Sequence, residues 1–141
     1  MDFNYKHMAK FPSDEWVIEY SEKLNSNQNY ADAGKTWEGD ILFVVKPESE
    51  QGGENYIYLD LYHGKCRAAR YIHPGEEVPN AQFRYIGSYG NWQRLIKKEI
   101  DPIQGILTGK FKLEGSMMKI MRYTKAAKEM VNTASDVKTE F

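Results

Sequence analysis

The run Asp101-Pro102-Ile103-Gln104-Gly105-Ile106-Leu107-Thr108-Gly109-Lys110-Phe111-Lys112-Leu113-Glu114-Gly115-Ser116-Met117 constrains the fold more than any other stretch. Asp101 can cap a helical turn, and Pro102 fits its first position, where no backbone N–H is needed. Gly109 ends that turn. Lys110 to Glu114 then alternate polar and apolar, the period of a half-buried strand. Gly115-Ser116 breaks the strand and caps a last helix rich in methionine. A helical turn, one strand and a Met-lined helix in quick succession build one wall of an apolar container. The run holds no obvious nucleophile or metal ligand.

The rest of the chain supplies the other walls. Pro12-Ser13-Asp14-Glu15 reads as a helix start, with a hydroxyl cap and acids in the first turn. Trp16, Tyr20 and Leu24 recur at four-residue spacing and Val17 widens the stripe, so an amphipathic helix is expected over 13–27. Asn27 can cap a second short helix ending at Gly34. Residues 1–11 read as an irregular lead-in. Ile41 to Val45 is short, apolar and rich in branched residues, the mark of a central strand. A hairpin loop holding Gly52-Gly53 follows. Ile57, Leu59 and Leu61 alternate with tyrosines and Asp60 and should face inside. His63-Gly64 allows a two-residue turn into a third strand over 65–72.

After a loop with two prolines, a fourth strand is expected over 81–87 and a helix over 91–98, with Trp92, Leu95 and Ile96 on one face. The fifth strand is 109–114. The last helix should run unbroken from Ser116 to about Ala134, with Met117, Ile120, Met121, Thr124, Ala127 and Val131 on one stripe. From Ser135 the tail is polar and expected to fray. Helices grouped around a mostly antiparallel sheet give an α+β fold. The length of 141 residues suggests a single domain over 1–141.

Composition narrows the function. A net charge of −1 gives no pointer to nucleic acid. The lone cysteine, Cys66, leaves no intrachain disulfide and fits a reducing compartment. The first residues lack the apolar core of a secretion signal, and Thr139-Glu140-Phe141 is not a peroxisomal tripeptide. A cytoplasmic protein is the expectation. His7, His63 and His73 are not at metal-ligand spacing and read as exposed turn residues. Cys66, in a predicted strand, reads as a buried structural thiol. Gly87-Ser88-Tyr89-Gly90 lacks the third glycine and the distant acid of a dinucleotide loop and reads as a turn. No metal, cofactor or catalytic group is expected, hence no enzyme. Lys97-Lys98 and Lys110/Lys112 read as the wet sides of amphipathic elements. The alternative is a transient contact with lipid headgroups, at about 1 kcal/mol per charge. Of the six methionines, Met117, Met118, Met121 and Met130 lie in the last helix. Met130, off the stripe, is expected at the surface or in a dimer contact.

Trp92, Leu95, Asp101-Pro102, Gly109-Lys110, Phe111, Leu113 and Gly115, in that order, resemble the signature of the sterol carrier protein type 2 family, the nonspecific lipid-transfer proteins. Trp37-Glu38-Gly39 adds a weaker match at the first strand. One departure stands out: Lys98 occupies a place where members commonly carry glycine. The resemblance implies a five-stranded sheet with helices over one face and an apolar tunnel between them. It also implies non-catalytic binding or transfer of one apolar molecule: a fatty acid, acyl-CoA, phospholipid, sterol or isoprenoid. In that reading Phe83 and Tyr85, or their neighbour Ile86, meet Trp92, Leu95, Ile103, Ile106, Leu107, Phe111, Leu113, Met117, Ile120 and Met121. Ile57 and Leu59 form the floor, and the methionines give a flexible wall. The last helix reads as a lid swinging at Gly115. At about 0.8 kcal/mol per CH₂, burying a twelve-carbon chain gains roughly 9 kcal/mol before ordering costs. Two other readings stay open: an accessory or dimerisation scaffold with a closed pocket, and a small acyl-chain enzyme. The last lacks a convergent acid, base or nucleophile. A homodimer is open.

Overall fold

The computed structural model describes residues 7–49 and 51–141. Residues 1–6 of the expected lead-in and Glu50 of the hairpin loop lie outside that range. In chain order the elements are β1 (Ala9–Lys10), α1 (Asp14–Asn25), α2 (Gln28–Ala33), β2 (Glu38–Lys46), β3 (Asn55–Tyr62), β4 (Lys65–Ile72), β5 (Phe83–Ser88), α3 (Tyr89–Ile96), α4 (Pro102–Leu107), β6 (Phe111–Glu114), α5 (Met117–Met121), α6 (Thr124–Asp136) and β7 (Thr139–Glu140).

The main sheet has five strands in the order β4-β3-β2-β5-β6. Only the β2–β5 pair is parallel, so the sheet is mostly antiparallel, as expected. β2 lies at its centre, and Leu42, Phe43, Val44 and Val45 are all buried, which is why its sequence shows no polar alternation. On β3 the alternation does sort the faces: Ile57, Leu59 and Leu61 are buried in the core. His63 (φ 51°) and Gly64 (φ 77°) both sit in the left-handed region, as a two-residue hairpin turn requires.

Helix starts follow local chemistry. The Ser13 hydroxyl accepts from Trp16 N–H at 3.1 Å, and the Asn27 side chain accepts from Tyr30 N–H at 3.0 Å. Asp101 accepts from both Ile103 and Gln104 N–H at 2.9 Å, with Pro102 at the first helical position.

Three expectations fail. The last helix is not continuous: α5 ends at Met121, Arg122 caps it, and Tyr123 (φ −123°, ψ 34°) leaves helical geometry before α6 begins. The tail does not fray, and the lead-in is not irregular throughout. β1 and β7 pair in parallel, with Ala9 N–H donating to Lys138 O at 2.8 Å and Phe11 N–H to Glu140 O at 2.9 Å. Val137 and Phe11 are buried. The Phe141 ring packs 6.2 Å from Phe11 and 6.4 Å from Tyr89, centroid to centroid. The apolar positions Val137 and Phe141 therefore anchor a tail whose composition is mostly polar.

Candidate functional site

A cavity of about 100 Å³ lies between the sheet and the helices. Four groups of elements wall it. Trp16 and Tyr20 come from α1 and Tyr30 from α2. The sheet contributes Ile41, Phe43, Leu61, Phe83, Tyr85 and Leu113, with Trp37 just before β2. From α3 and α4 come Trp92, Leu95, Ile96, Pro102, Ile103 and Ile106. α5 gives Ile120, and the chain onward from it gives Tyr123, Ala126, Ala127, Met130, Val131 and Ala134.

The expected site residues divide. Phe83, Tyr85, Trp92, Leu95, Ile103, Ile106, Leu113 and Ile120 meet at the cavity. On β5 the open question about facing is answered by the register: Tyr85 pairs with Leu113, whereas Ile86 pairs with the exposed Lys112.

The others do not reach it. Leu107 is 62% exposed: it follows Ile106 by one residue, which carries it round the short helix and off the inner face. Met121 is 46% exposed: it follows the inward-facing Ile120 by one residue, which carries it off the inner face of α5. Ile120, Tyr123, Ala127, Met130 and Ala134 now follow one another at three- and four-residue steps. Met117 is half-buried and outside the wall. Phe111 is buried behind Tyr85, ring on ring at 4.5 Å and 13°. Ile57 and Leu59 are fully buried in the core but lie outside the wall, to which β3 contributes Leu61. Met130, expected at the surface, lines the cavity.

Residues not foreseen at the cavity had signals of their own. Trp16 and Tyr20 were legible as the apolar stripe of α1, though not as a cavity wall. Tyr123 and Met130 stand at helical spacing from Ile120 and Ala127.

Most polar side-chain atoms of the wall are turned to protein. Tyr20 Oη donates to Met130 O at 3.0 Å and Tyr85 Oη to Pro102 O at 2.8 Å. Trp92 Nε1 donates to Val44 O at 2.9 Å, which pins α3 to the central strand. Burial pushes the phenols of Tyr20, Tyr30 and Tyr85 well above their ordinary value, so they stay neutral. Cys66, behind Tyr20 and Tyr30, is a buried thiol pushed up by burial to about 11. The result is a neutral, water-repelling wall that can hold apolar matter and has no charge inside it.

The sequence matches the model of the SCP-2 sterol transfer family over residues 18–128. The chain belongs to this family. That places it among lipid-binding transport domains. Its fold is similar to a crystal structure of sterol carrier protein 2, with a TM-score of 0.83, 29% identity, and 91% of this chain and 99% of that one covered. It is also similar to a conserved hypothetical protein from Thermus thermophilus, considered a possible sterol carrier protein. There the TM-score is 0.82 at 28% identity, covering 96% of this chain and 94% of that one. The apo form of sterol carrier protein 2 from Yarrowia lipolytica shares the fold, at a TM-score of 0.58 and 19% identity over 92% of this chain and 97% of that one. No curated protein matches the sequence. Among the described residues no helix is long and apolar enough to cross a membrane, and no group of three or more His, Cys, Asp and Glu could hold a metal ion.

Proposed function

We propose that residues 1–141 act as one domain that binds and transfers a single hydrophobic molecule, without catalysing a reaction on it. One observation carries this reading: four groups of elements converge on a shared hollow whose wall is apolar, uncharged and holds most of its polar atoms in bonds to protein. Family membership supports it. The driving force is desolvation, at about 0.8 kcal/mol per buried CH₂. Such burial discriminates poorly between chains, so fatty acids, acyl-CoA, phospholipids, sterols and isoprenoids are the candidate class. Lys97, Lys98, Lys110 and Lys112 supply a weak, transient hold on a membrane during exchange. A cytoplasmic setting fits the single buried thiol.

The cavity volume shapes the mechanism. At about 100 Å³ it is smaller than a hollow that admits benzene, about 150 Å³. A long chain therefore enters only if part of the wall gives way. α5 and the start of α6 are the movable part: α5 is five residues long, has no fully buried residue, and joins α6 at a non-helical residue.

The same small volume favours a second reading, a scaffold or dimerisation piece with a closed pocket. Displacement of a fluorescent fatty acid at micromolar protein separates the two. Saturable displacement by unlabelled lipid is the expected result. No uptake, together with a stable dimer by light scattering, would establish the scaffold instead. Native mass spectrometry of protein purified from its own host, followed by lipid extraction, names the guest.

A further inference from the structure

The cavity wall carries no charge to hold a charged end of a guest, its Tyr30 hydroxyl being neutral. Trp37 Nε1 donates to Gly39 O at 2.8 Å, and the Tyr20, Tyr85 and Trp92 donors are committed to backbone carbonyls as well. One cation stands at the edge of this wall. Lys119, on α5, precedes Ile120, which is part of the wall. Its ammonium lies 4.7 Å from the Trp37 ring centroid and 5.6 Å from that of Phe83. Both rings line the cavity. The other cation–ring contacts among the described residues place Arg67 on Tyr62 and Lys97 on Phe141, and neither ring lines it.

The charge of Lys119 is unspent. Its hydrogen-bond acceptor is a neutral carbonyl, Glu38 O. Among the described residues no carboxylate lies within 4.0 Å of its nitrogen. The Glu38 side chain turns instead to His63, at 2.6 Å. Close by, Tyr123 Oη and Thr36 Oγ1 share a hydrogen bond of 3.0 Å, and the Tyr123 ring stands edge-on to Trp37 at 5.0 Å. The Trp37 corner is thus where the apolar wall meets a half-buried cation and two hydroxyls.

We propose that Lys119 reads the headgroup of the guest, and that the preferred guest is a single-chain lipid ending in a carboxylate, a fatty acid. This rests on the carrier reading above. The carboxylate replaces the Glu38 carbonyl as the partner of the ammonium, while the chain runs past Trp37 and Phe83 into the cavity. An ammonium–carboxylate pair, with both partners charged, is stronger than the ammonium's bond to a neutral carbonyl that it replaces. A fatty alcohol buries the same chain but offers the ammonium only a neutral acceptor, so the acid is favoured by about tenfold. The exchange also frees α5 from β2, which couples headgroup recognition to opening of the wall.

The test displaces an uncharged fluorescent probe with dodecanoate and with dodecanol, at a pH where the acid is ionised. Wild type is expected to bind the acid about tenfold more tightly than the alcohol. Lys119→Met should bring that ratio close to one by weakening the acid alone, and Lys119→Arg should keep it. Equal affinities in wild type, or an unchanged ratio in Lys119→Met, would overturn the assignment while leaving the carrier reading standing. Failure of both compounds to displace the probe in wild type overturns the carrier reading, and the assignment with it. The wild-type comparison needs no variant, so a misfolded substitution does not shelter the idea.

Discussion

The α-carbon of Gly115 rests against the ring of Phe83. A β-carbon at Gly115 would collide with Phe83 Cδ1, and the residue holds φ at +126°, a conformation that side chains disfavour. Phe83 in turn lines the cavity. This glycine lets β6 turn into α5 while passing close to the cavity wall. Gly115→Ala should therefore destabilise the fold by about 2 kcal/mol or more, from backbone strain plus a displaced ring. Gly109 provides the control: its φ is +77°, but nothing lies within 4 Å of an added β-carbon. Gly109→Ala should cost only about 1 kcal/mol. Urea unfolding of both variants checks the difference, and equal losses would mean that Phe83 moves aside freely.

Lys98 carries the second strained backbone of interest. It sits at φ +64°, just after α3, where its N–H donates to Leu95 O at 2.9 Å. This is the place where the resemblance called for glycine. A left-handed residue just past a helix end is the usual position for one, because glycine has no β-carbon to clash. Lys98→Gly should raise stability by up to about 1 kcal/mol, the relieved strain being partly offset by a more flexible unfolded chain. A shift of the denaturant midpoint upward, with an unchanged slope, is the expected result.

These two positions show which features can be read from sequence. Caps, turns and alternation are local: Ser13, Asn27, Asp101 and His63-Gly64 do what their side chains and φ angles dictate. The β1–β7 pairing is not local. Two-residue strands from opposite ends of the chain carry no periodic signal, and Trp16 Nε1 donating to Thr139 Oγ1 at 2.9 Å ties them to α1 only in three dimensions. The break between α5 and α6 was equally hidden. No glycine or proline marks it, and Tyr123 is held by Thr36 and Trp37, which lie just before β2 and far away in sequence. The α3–α4 half of the cavity could thus be read from spacing, while the α5–α6 half could be read in part: Ile120, Ala127 and Val131 of the expected stripe line it, and Tyr123 and Met130 join them from beside that stripe.

Leu113 and Leu107, both expected at the site, form a decisive pair. Leu113 lies in the wall opposite Tyr85, and Leu107 is exposed. A carboxylate facing an apolar cavity is strongly disfavoured. Leu113→Asp should weaken uptake of a fluorescent fatty acid at least tenfold, in a protein that circular dichroism shows to be folded. Leu107→Asp should leave uptake unchanged and alter stability by no more than about 0.5 kcal/mol. Loss of uptake in the Leu107 variant would place the mouth of the cavity at the end of α4.

His73 links the β4–β5 loop to α1. Its Nε2 lies 2.6 Å from Asp14 Oδ2 and its Nδ1 lies 3.0 Å from Glu76 Oε1. Hydrogen bonds to Asp14 first, and then to Glu76, raise its pKa above the ordinary 6.5. The His73 backbone N–H and ring together lower that of Glu76 below 4.5. For the raised histidine, the stabilisation is fully present below 6.5 and disappears as pH rises through the folded value. For the lowered carboxylate it is present above 4.5 and disappears as pH falls through its folded value. The clasp is therefore whole between those limits. The stability difference between wild type and His73→Gln should be largest there and vanish at alkaline pH. All partners are half-exposed, so the difference should also shrink with added salt. Proton NMR titration of the His73 ring gives the direct check: a midpoint at or below 6.5 would mean that the two carboxylates do not hold it in solution.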